Sequence, residues 1–497
     1  MKLIETLAPT GIDAWSAERF EAAASSAAQA LQDRGVRVLA TLLDNGAPWL
    51  IADAAAARAG VVHVPLPGFF TPQQVQHALG AAGVDTLWTV PAAAAGFAGS
   101  RPETLPLGDT AEAIASLRLP ALPVPLPAGT TKITFTSGTT GTPKGVCLGQ
   151  DAMQRVARAI GDATAGLQIT RHLSALPFAV LLENIAGVLA PRLRGATCIA
   201  LPLAAVGLQG SSRFDPALLQ AAVEAHQPHS LILLPQMLRA WAMWLRAANR
   251  RAPTSLRLVA VGGAAVGASL LQSARAVDIP AFEGYGLSEG ASVQTLNLPG
   301  ADRPGSAGRP LPHARVRIAA DGEIEVAGSL FLGYLGSSTP PPAWWPSGDL
   351  GEIDADGFLH VRGRKKQVLV TAYGRNVSPE WVETALQGAG VGGLPPIGQA
   401  VVFGDGQPAL SAVLWPLRAD LPDTVLQAAV DAANAALPDY AQVRRWVRAR
   451  AAFDAGTGLA TANGRPQRAA IEQMHRDALL ADCSSASLPS LREPSIP

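Results

Sequence analysis

Short apolar, β-branched runs separated by alanine-rich helical stretches constrain the fold of this chain more than any other feature. Residues 36–40, 61–64 and 86–90 read as strands, and residues 54–59 and 73–79 between them as helices. Strands of four or five residues that alternate with helices predict a parallel sheet with helices packed on it. The pattern returns at 231–234 and 256–261, each after a helical stretch. Past residue 314 the texture changes. Residues 323–326 and 358–361 alternate in period two, and Asp321-Gly322 and Asp356-Gly357 read as turns, so a smaller β-rich part is expected. Residues 120–127 carry four prolines and read as a linker.

At 497 residues the chain exceeds one hydrophobic core, and two or more domains are expected. Lys+Arg and Asp+Glu balance at 39 each, which argues against a nucleic-acid partner. Cys147, Cys198 and Cys483 are widely spaced and match neither a disulfide framework nor a zinc site. With no signal-peptide pattern at Met1-Lys2-Leu3-Ile4-Glu5, these thiols suit a reducing cytoplasm. Mean hydropathy is +0.20, yet no apolar run reaches the roughly 18 residues of a spanning helix, so no transmembrane segment is expected.

Residues 136–145 read Thr-Ser-Gly-Thr-Thr-Gly-Thr-Pro-Lys-Gly, after the apolar run Ile133-Thr134-Phe135. Glycines let backbone N–H groups approach an anion, and hydroxyls with one ammonium add donors, so the stretch suits phosphate. It is not a Walker A loop, because Lys144 is followed by Gly145 rather than Ser or Thr.

This decapeptide resembles the phosphate-binding loop of the adenylate-forming (AMP-binding) superfamily, which includes acyl-CoA synthetases. Gly262-Gly263-Ala264, Gly284-Tyr285-Gly286-Leu287-Ser288-Glu289, Ser347-Gly348-Asp349-Leu350-Gly351, Gly363-Arg364-Lys365-Lys366 and Gly374-Arg375-Asn376-Val377-Ser378-Pro379 follow in that family's order. The resemblance implies an α/β fold with a large N-terminal AMP-binding domain, residues 1–363, of parallel and mixed sheets flanked by helices plus a β-rich subdomain. A small mobile α+β domain, 364–481, and a disordered tail, 482–497, are expected after it.

The implied reaction joins a carboxylate to the α-phosphate of ATP, and a thiol then displaces AMP. By this resemblance Thr136, Ser137, Gly138, Thr139, Thr140, Gly141 and Lys144 hold the phosphates. Glu289 holds Mg²⁺ beside Ser288, and Tyr285 and Gly286 meet adenine. Gly262, Gly263 and Ala264 pass close to adenine and the acyl carbonyl. Asp349 accepts both ribose hydroxyls, and Arg364 contacts ribose and phosphate. Lys366 is the hinge, and Gly374 leaves room for a pantetheine arm.

Two positions depart from the family. The lysine that usually bridges carboxylate and α-phosphate is replaced by Arg465, whose planar fork is not a substitute for an ammonium point charge. In Leu176-Pro177-Phe178-Ala179-Val180-Leu181-Leu182-Glu183, which resembles a long-chain acyl-CoA synthetase stretch, Val180 replaces the usual histidine. No charged residue occupies the expected pocket segments, represented by Val180, Gln236, Gly262 and Gly286, so a fatty or other apolar carboxylic acid is expected. The expected co-reactants are ATP, Mg²⁺ and CoA. The alternatives are a carrier-protein phosphopantetheine as acceptor, closure of a 3-hydroxy acid to a β-lactone, and a binder weakened by Arg465.

Overall fold

The structure, a computed structural model, describes residues 2–8, 11–97, 101–108, 114–136, 143–210, 213–390, 395–461 and 464–480. The expected 482–497 tail lies outside them. By contact density the chain divides into two units, Met1–Lys366 and Gln367–Pro497.

Two large sheets dominate the first unit. In one, strands Val38–Leu42, Val62–Pro65 and Thr86–Thr89 run parallel, joined by helices Ala47–Ala59 and Pro72–Ala81. The second helix begins where its sequence requires. Thr71 caps it by accepting from the Gln74 N–H, the Gln74 side chain returns the bond, and Pro72 opens the first turn. The first helix extends further toward its N-terminus than the alanine run suggested, because Trp49, Leu50 and Ile51 are buried there. Strand Thr130–Thr136 joins this sheet through His63 opposite Lys132 and turns back as Lys144–Gly149.

The second sheet places Ala281–Leu287, Leu258–Val261, Ser230–Leu233, Arg171–Leu173 and Thr197–Ala200 side by side and parallel. Helices Pro216–His226, Pro235–Ala247 and Ala268–Arg275 bury Leu219, Trp241 and Leu271 against it. Both faces are covered, which is why these strands read as continuous apolar runs. The four strands other than Thr197–Ala200 end in the Leu176–Glu183 stretch, Gln236, Gly262 and Gly284-Tyr285-Gly286. The topology thus gathers the pocket candidates at the carboxyl ends of adjacent parallel strands, where open α/β sheets bind ligands.

A four-stranded antiparallel sheet, Arg315–Ile318, Glu323–Ala327, Trp345–Ile353 and Leu359–Arg364, supplies the β-rich part. Its buried Ile324, Val326 and Leu359 pack with Tyr285 and Leu287. That packing sets Asp349 facing the Tyr285 strand. In the second unit, helices Pro379–Gly388 and Asp423–Ala435 pack on the sheet Ile397–Phe403, Leu410–Pro416 and Val443–Arg448. Among the described residues, no helix is long and apolar enough to cross a membrane.

Candidate active site

The phosphate-loop candidate lies between two antiparallel strands, Thr130–Thr136 and Lys144–Gly149. Thr136 and Lys144 face each other at the last rung of the ladder, and the Thr136 hydroxyl donates to the Lys144 carbonyl at 3.5 Å. Ser137, Gly138, Thr139, Thr140 and Gly141 lie outside the described residues. The Lys144 side chain is exposed.

Strand Ala281–Leu287 carries the second group. A Cβ on Gly286 would lie 2.2 Å from the Ser292 carbonyl oxygen, so only glycine permits the strand to turn back there. Ser288 and Glu289 follow in a short 3-10 turn. On the adjacent strand, a Cβ on Gly262 would meet the Gly284 carbonyl at 3.1 Å, so these two backbones approach closely. Gly263 and Ala264 continue from Gly262 and are exposed.

Two residues, Tyr285 and Arg364, converge on the carboxylate of a third, Asp349. The Tyr285 hydroxyl donates to Asp349 at 2.7 Å, and the Arg364 guanidinium lies 2.9 Å from the other Asp349 oxygen. Arg364 is opposite Asp349 in the strand register. The Ser347 hydroxyl accepts from the Asp349 N–H, and the Gly348 N–H donates to Glu323, which fixes the turn that presents the acid. Burial and the neighbouring Asp349 charge push the Tyr285 phenol well above its ordinary pKa, so it remains a donor.

Glu289 accepts a hydrogen bond from the Tyr334 hydroxyl at 2.7 Å. Tyr334 packs edge-on against Phe331 and Trp345. Burial and Glu289 raise its pKa, so it too stays protonated. Among the described residues, no group of three or more His, Cys, Asp or Glu side chains could hold an ion alone. Glu289 is a single carboxylate with one oxygen held by a phenol, a donor that would fit magnesium, which takes most of its ligands from water and phosphate.

The pocket candidates are less uniform than the sequence suggested. Val180 is half-buried, just before the wide π-type helix Glu183–Leu189, whereas Gln236 is exposed in the first turn of its helix. Glu283 lies two residues before Tyr285. It accepts from the Val266 N–H at 3.4 Å, while its second oxygen is buried with no partner. Burial pushes its pKa up to about 8, so a neutral acid borders the Gly262–Val266 segment.

Asn45 was not singled out by sequence. Its amide donates to the Leu176 carbonyl and accepts from the Phe178 N–H, both at 2.8 Å, and so clamps the Val180 segment from outside. Lys132 holds the other end, with its ammonium on Asn184 and on Asp53.

In the second unit, Gly374 sits at the tip of the hairpin Leu369–Val370/Asn376–Val377 with φ +71°, and a Cβ there would meet nothing within 4 Å. The left-handed backbone, rather than crowding, selects glycine. Lys366 is the last residue of the first unit. Arg465 closes a tight turn: the Thr461 N–H donates to its carbonyl at 2.8 Å, and its own N–H donates to the Thr461 hydroxyl.

Residues 6–335 match the sequence profile of the AMP-binding enzyme family. A long-chain-fatty-acid–CoA ligase of Mycobacterium bovis is 33% identical over 246 residues, covering 44% of this chain and 40% of the relative. A 2-succinylbenzoate–CoA ligase of Bacillus velezensis is 31% identical over 276 residues, covering 52% of this chain and 53% of the relative. The chain thus matches about half the length of these relatives or less. Among solved structures, an anthranilate CoA ligase in complex with anthranoyl-AMP superposes with TM-score 0.77 at 19% identity, covering 95% of this chain and 94% of that one. The O-succinylbenzoate CoA synthetase of Bacillus subtilis with AMP gives 0.73 at 23% identity, covering 94% of both. These likenesses establish the two-unit α/β architecture. With the ordered motifs and the Tyr285–Asp349–Arg364 cluster in one unit, the conclusion is that this chain belongs to the AMP-binding, adenylate-forming enzyme family.

Proposed function

We propose that this chain uses ATP to convert an apolar carboxylic acid to its acyl adenylate and then passes the acyl group to the thiol of CoA. The observation that carries this reading is the convergence of Tyr285 and Arg364 on the buried carboxylate of Asp349. A carboxylate offers about four acceptor sites, so Asp349 would take the ribose hydroxyls beside Tyr285 and Arg364. Tyr285 supplies a flat face for adenine. Lys144 and the loop before it would carry the β- and γ-phosphates. Glu289 would hold a magnesium ion, which neutralises phosphate charge when bound.

The acid's carboxylate oxygen attacks the α-phosphorus and pyrophosphate leaves with the bonding pair. A thiolate then attacks the acyl carbonyl and AMP departs. Arg465 stands for the cation that meets both anions in the first step, and Gly374 for the passage of the thiol in the second. The domain assignment at 363/364, the hinge at Lys366 and a cytoplasmic location belong to the same reading.

A fatty acid is favoured by the absence of charge at Val180 and Leu234 to Leu238, and by the neutral form of Glu283 beside the pocket segments. An aryl acid is the second reading, supported by the similarity to a 2-succinylbenzoate–CoA ligase. Release of AMP from ATP with straight-chain and aryl acids, with and without CoA, tests both. AMP that depends on a straight-chain acid and rises with CoA supports the first reading. Dependence on aryl acids alone supports the second. Acid-dependent AMP that CoA leaves unchanged assigns the acyl group to a carrier-protein thiol or an internal hydroxyl.

A further inference from the structure

We infer that Tyr334 is a positioning residue that couples the metal-binding acid to the phosphate-loop lysine. The inference rests on the proposed roles of Glu289 and Lys144 and deepens that reading. Tyr334 belongs to a two-residue edge strand, Gly333–Tyr334, that pairs antiparallel with the lysine strand, Tyr334 opposite Val146 and Gly333 opposite Cys147. That pairing brings the ring under the Lys144 side chain, with the ammonium 5.7 Å from the ring centroid. The hydroxyl of the same ring donates to Glu289 Oε1 at 2.7 Å.

The ring itself is fixed. Phe331 and Trp345 meet it edge-on with centroids 5.0 Å and 5.9 Å away, and they pack on each other at 4.7 Å. The Phe331 N–H also donates to the Glu289 backbone carbonyl at 2.8 Å, so the strand and the acid's turn are joined twice. One rigid side chain therefore contacts both the cation that receives phosphate and the anion that receives the metal.

Each contact has a distinct consequence. A phenol that occupies one lone pair of a carboxylate sets its plane and leaves the remaining acceptor sites for a hard cation. Partners of this kind behind a ligating carboxylate are worth about 10- to 100-fold in metal affinity. A lysine ammonium over an aromatic face gains a weaker attraction, about three-fold in affinity at an exposed site. Loss of the hydroxyl should thus affect the metal, and loss of the ring should affect nucleotide binding without metal.

The test is calorimetric binding of ATP to the full chain, in magnesium and in EDTA, for wild type, Tyr334→Phe, Tyr334→Leu and Glu289→Gln. The readout is the ratio of the two affinities. Tyr334→Phe should reduce the magnesium advantage about ten-fold and leave EDTA binding unchanged. Tyr334→Leu should reduce the magnesium advantage by about the same ten-fold and also weaken EDTA binding about three-fold. Melting curves check the fold, and Tyr334→Phe, which keeps the aromatic packing, carries the argument if the leucine variant unfolds. If Glu289→Gln abolishes the magnesium advantage while Tyr334→Phe retains it, the coupling is overturned and the metal role of Glu289 stands. If neither variant alters the ratio, both assignments fall.

Discussion

Replacement of Asp349 by Asn separates nucleotide recognition from folding. The side chain is nearly fully buried, whereas its Arg364 partner is 37% exposed, so water screens the pair. Screened pairs contribute about 0–1 kcal/mol to stability. The isosteric amide can still accept from the Tyr285 hydroxyl, so the fold should survive with a small change in melting temperature. Binding is a different matter. Hydrogen bonds to a charged acceptor contribute about 1.5–3 kcal/mol and neutral ones about 0.5–1.5, a difference of about 1–1.5 per bond. Two ribose hydroxyls on one carboxylate then give about 2–3 kcal/mol, or about 30- to 150-fold in affinity. Calorimetry with AMP measures this without the phosphate loop or metal. The control is 2′,3′-dideoxy-AMP, which should bind wild type and Asp349→Asn alike. AMP affinity within about three-fold of wild type, or full discrimination against the dideoxy nucleotide in the variant, would refute the ribose role.

Other outcomes follow from the same geometry. Asn45→Ala leaves the Leu176 carbonyl and Phe178 N–H unpaired in a buried site. At about 1–3 kcal/mol per group, urea unfolding should show a loss of about 2–6 kcal/mol, and the KM for the acid should rise more than that for ATP. Gly286→Ala would place a Cβ 2.2 Å from the Ser292 carbonyl, so AMP affinity should fall at least ten-fold; unchanged binding would show that the strand can yield. Burial raises the Glu283 pKa from 4.5 to about 8, so the unfolded chain releases this proton first and stability falls as pH rises through that window. Glu283→Gln should therefore raise the melting temperature more at pH 8 than at pH 5, and equal shifts would contradict a neutral acid. Arg465→Lys should change the ATP–pyrophosphate exchange rate by less than about five-fold. A much larger gain would mark the arginine as a lesion.

Much of the framework was legible because it rests on local chemistry. Strands such as Ser230–Leu233 and Leu258–Val261 are apolar and buried on both faces, and their apolar runs betray them within a residue or two. The Asp349 turn and the Tyr285 strand were found through motifs that resemble those of the adenylate-forming family, and crowding at Gly286 shows why one of those glycines is required. Tyr334 and Asn45 were missed for the opposite reason. A two-residue edge strand has no periodicity, and nothing near Tyr334 in sequence announces a partner 45 residues earlier. Asn45 looks like an ordinary turn residue, and the backbone it clamps is more than 130 residues away. Glu283, one residue before the Gly284–Glu289 motif, was passed over because burial rather than spacing decides its charge. Contacts made only by the tertiary fold leave no local pattern.

The central claim is acid-dependent adenylation, and the most direct measurement is AMP release from Mg·ATP by the full chain with a series of straight-chain acids, with and without CoA. The account predicts AMP formation that requires the acid, accelerates with CoA, and is lost in Glu289→Gln. AMP formation indifferent to every acid, or none with any acid while ATP still binds, would contradict it.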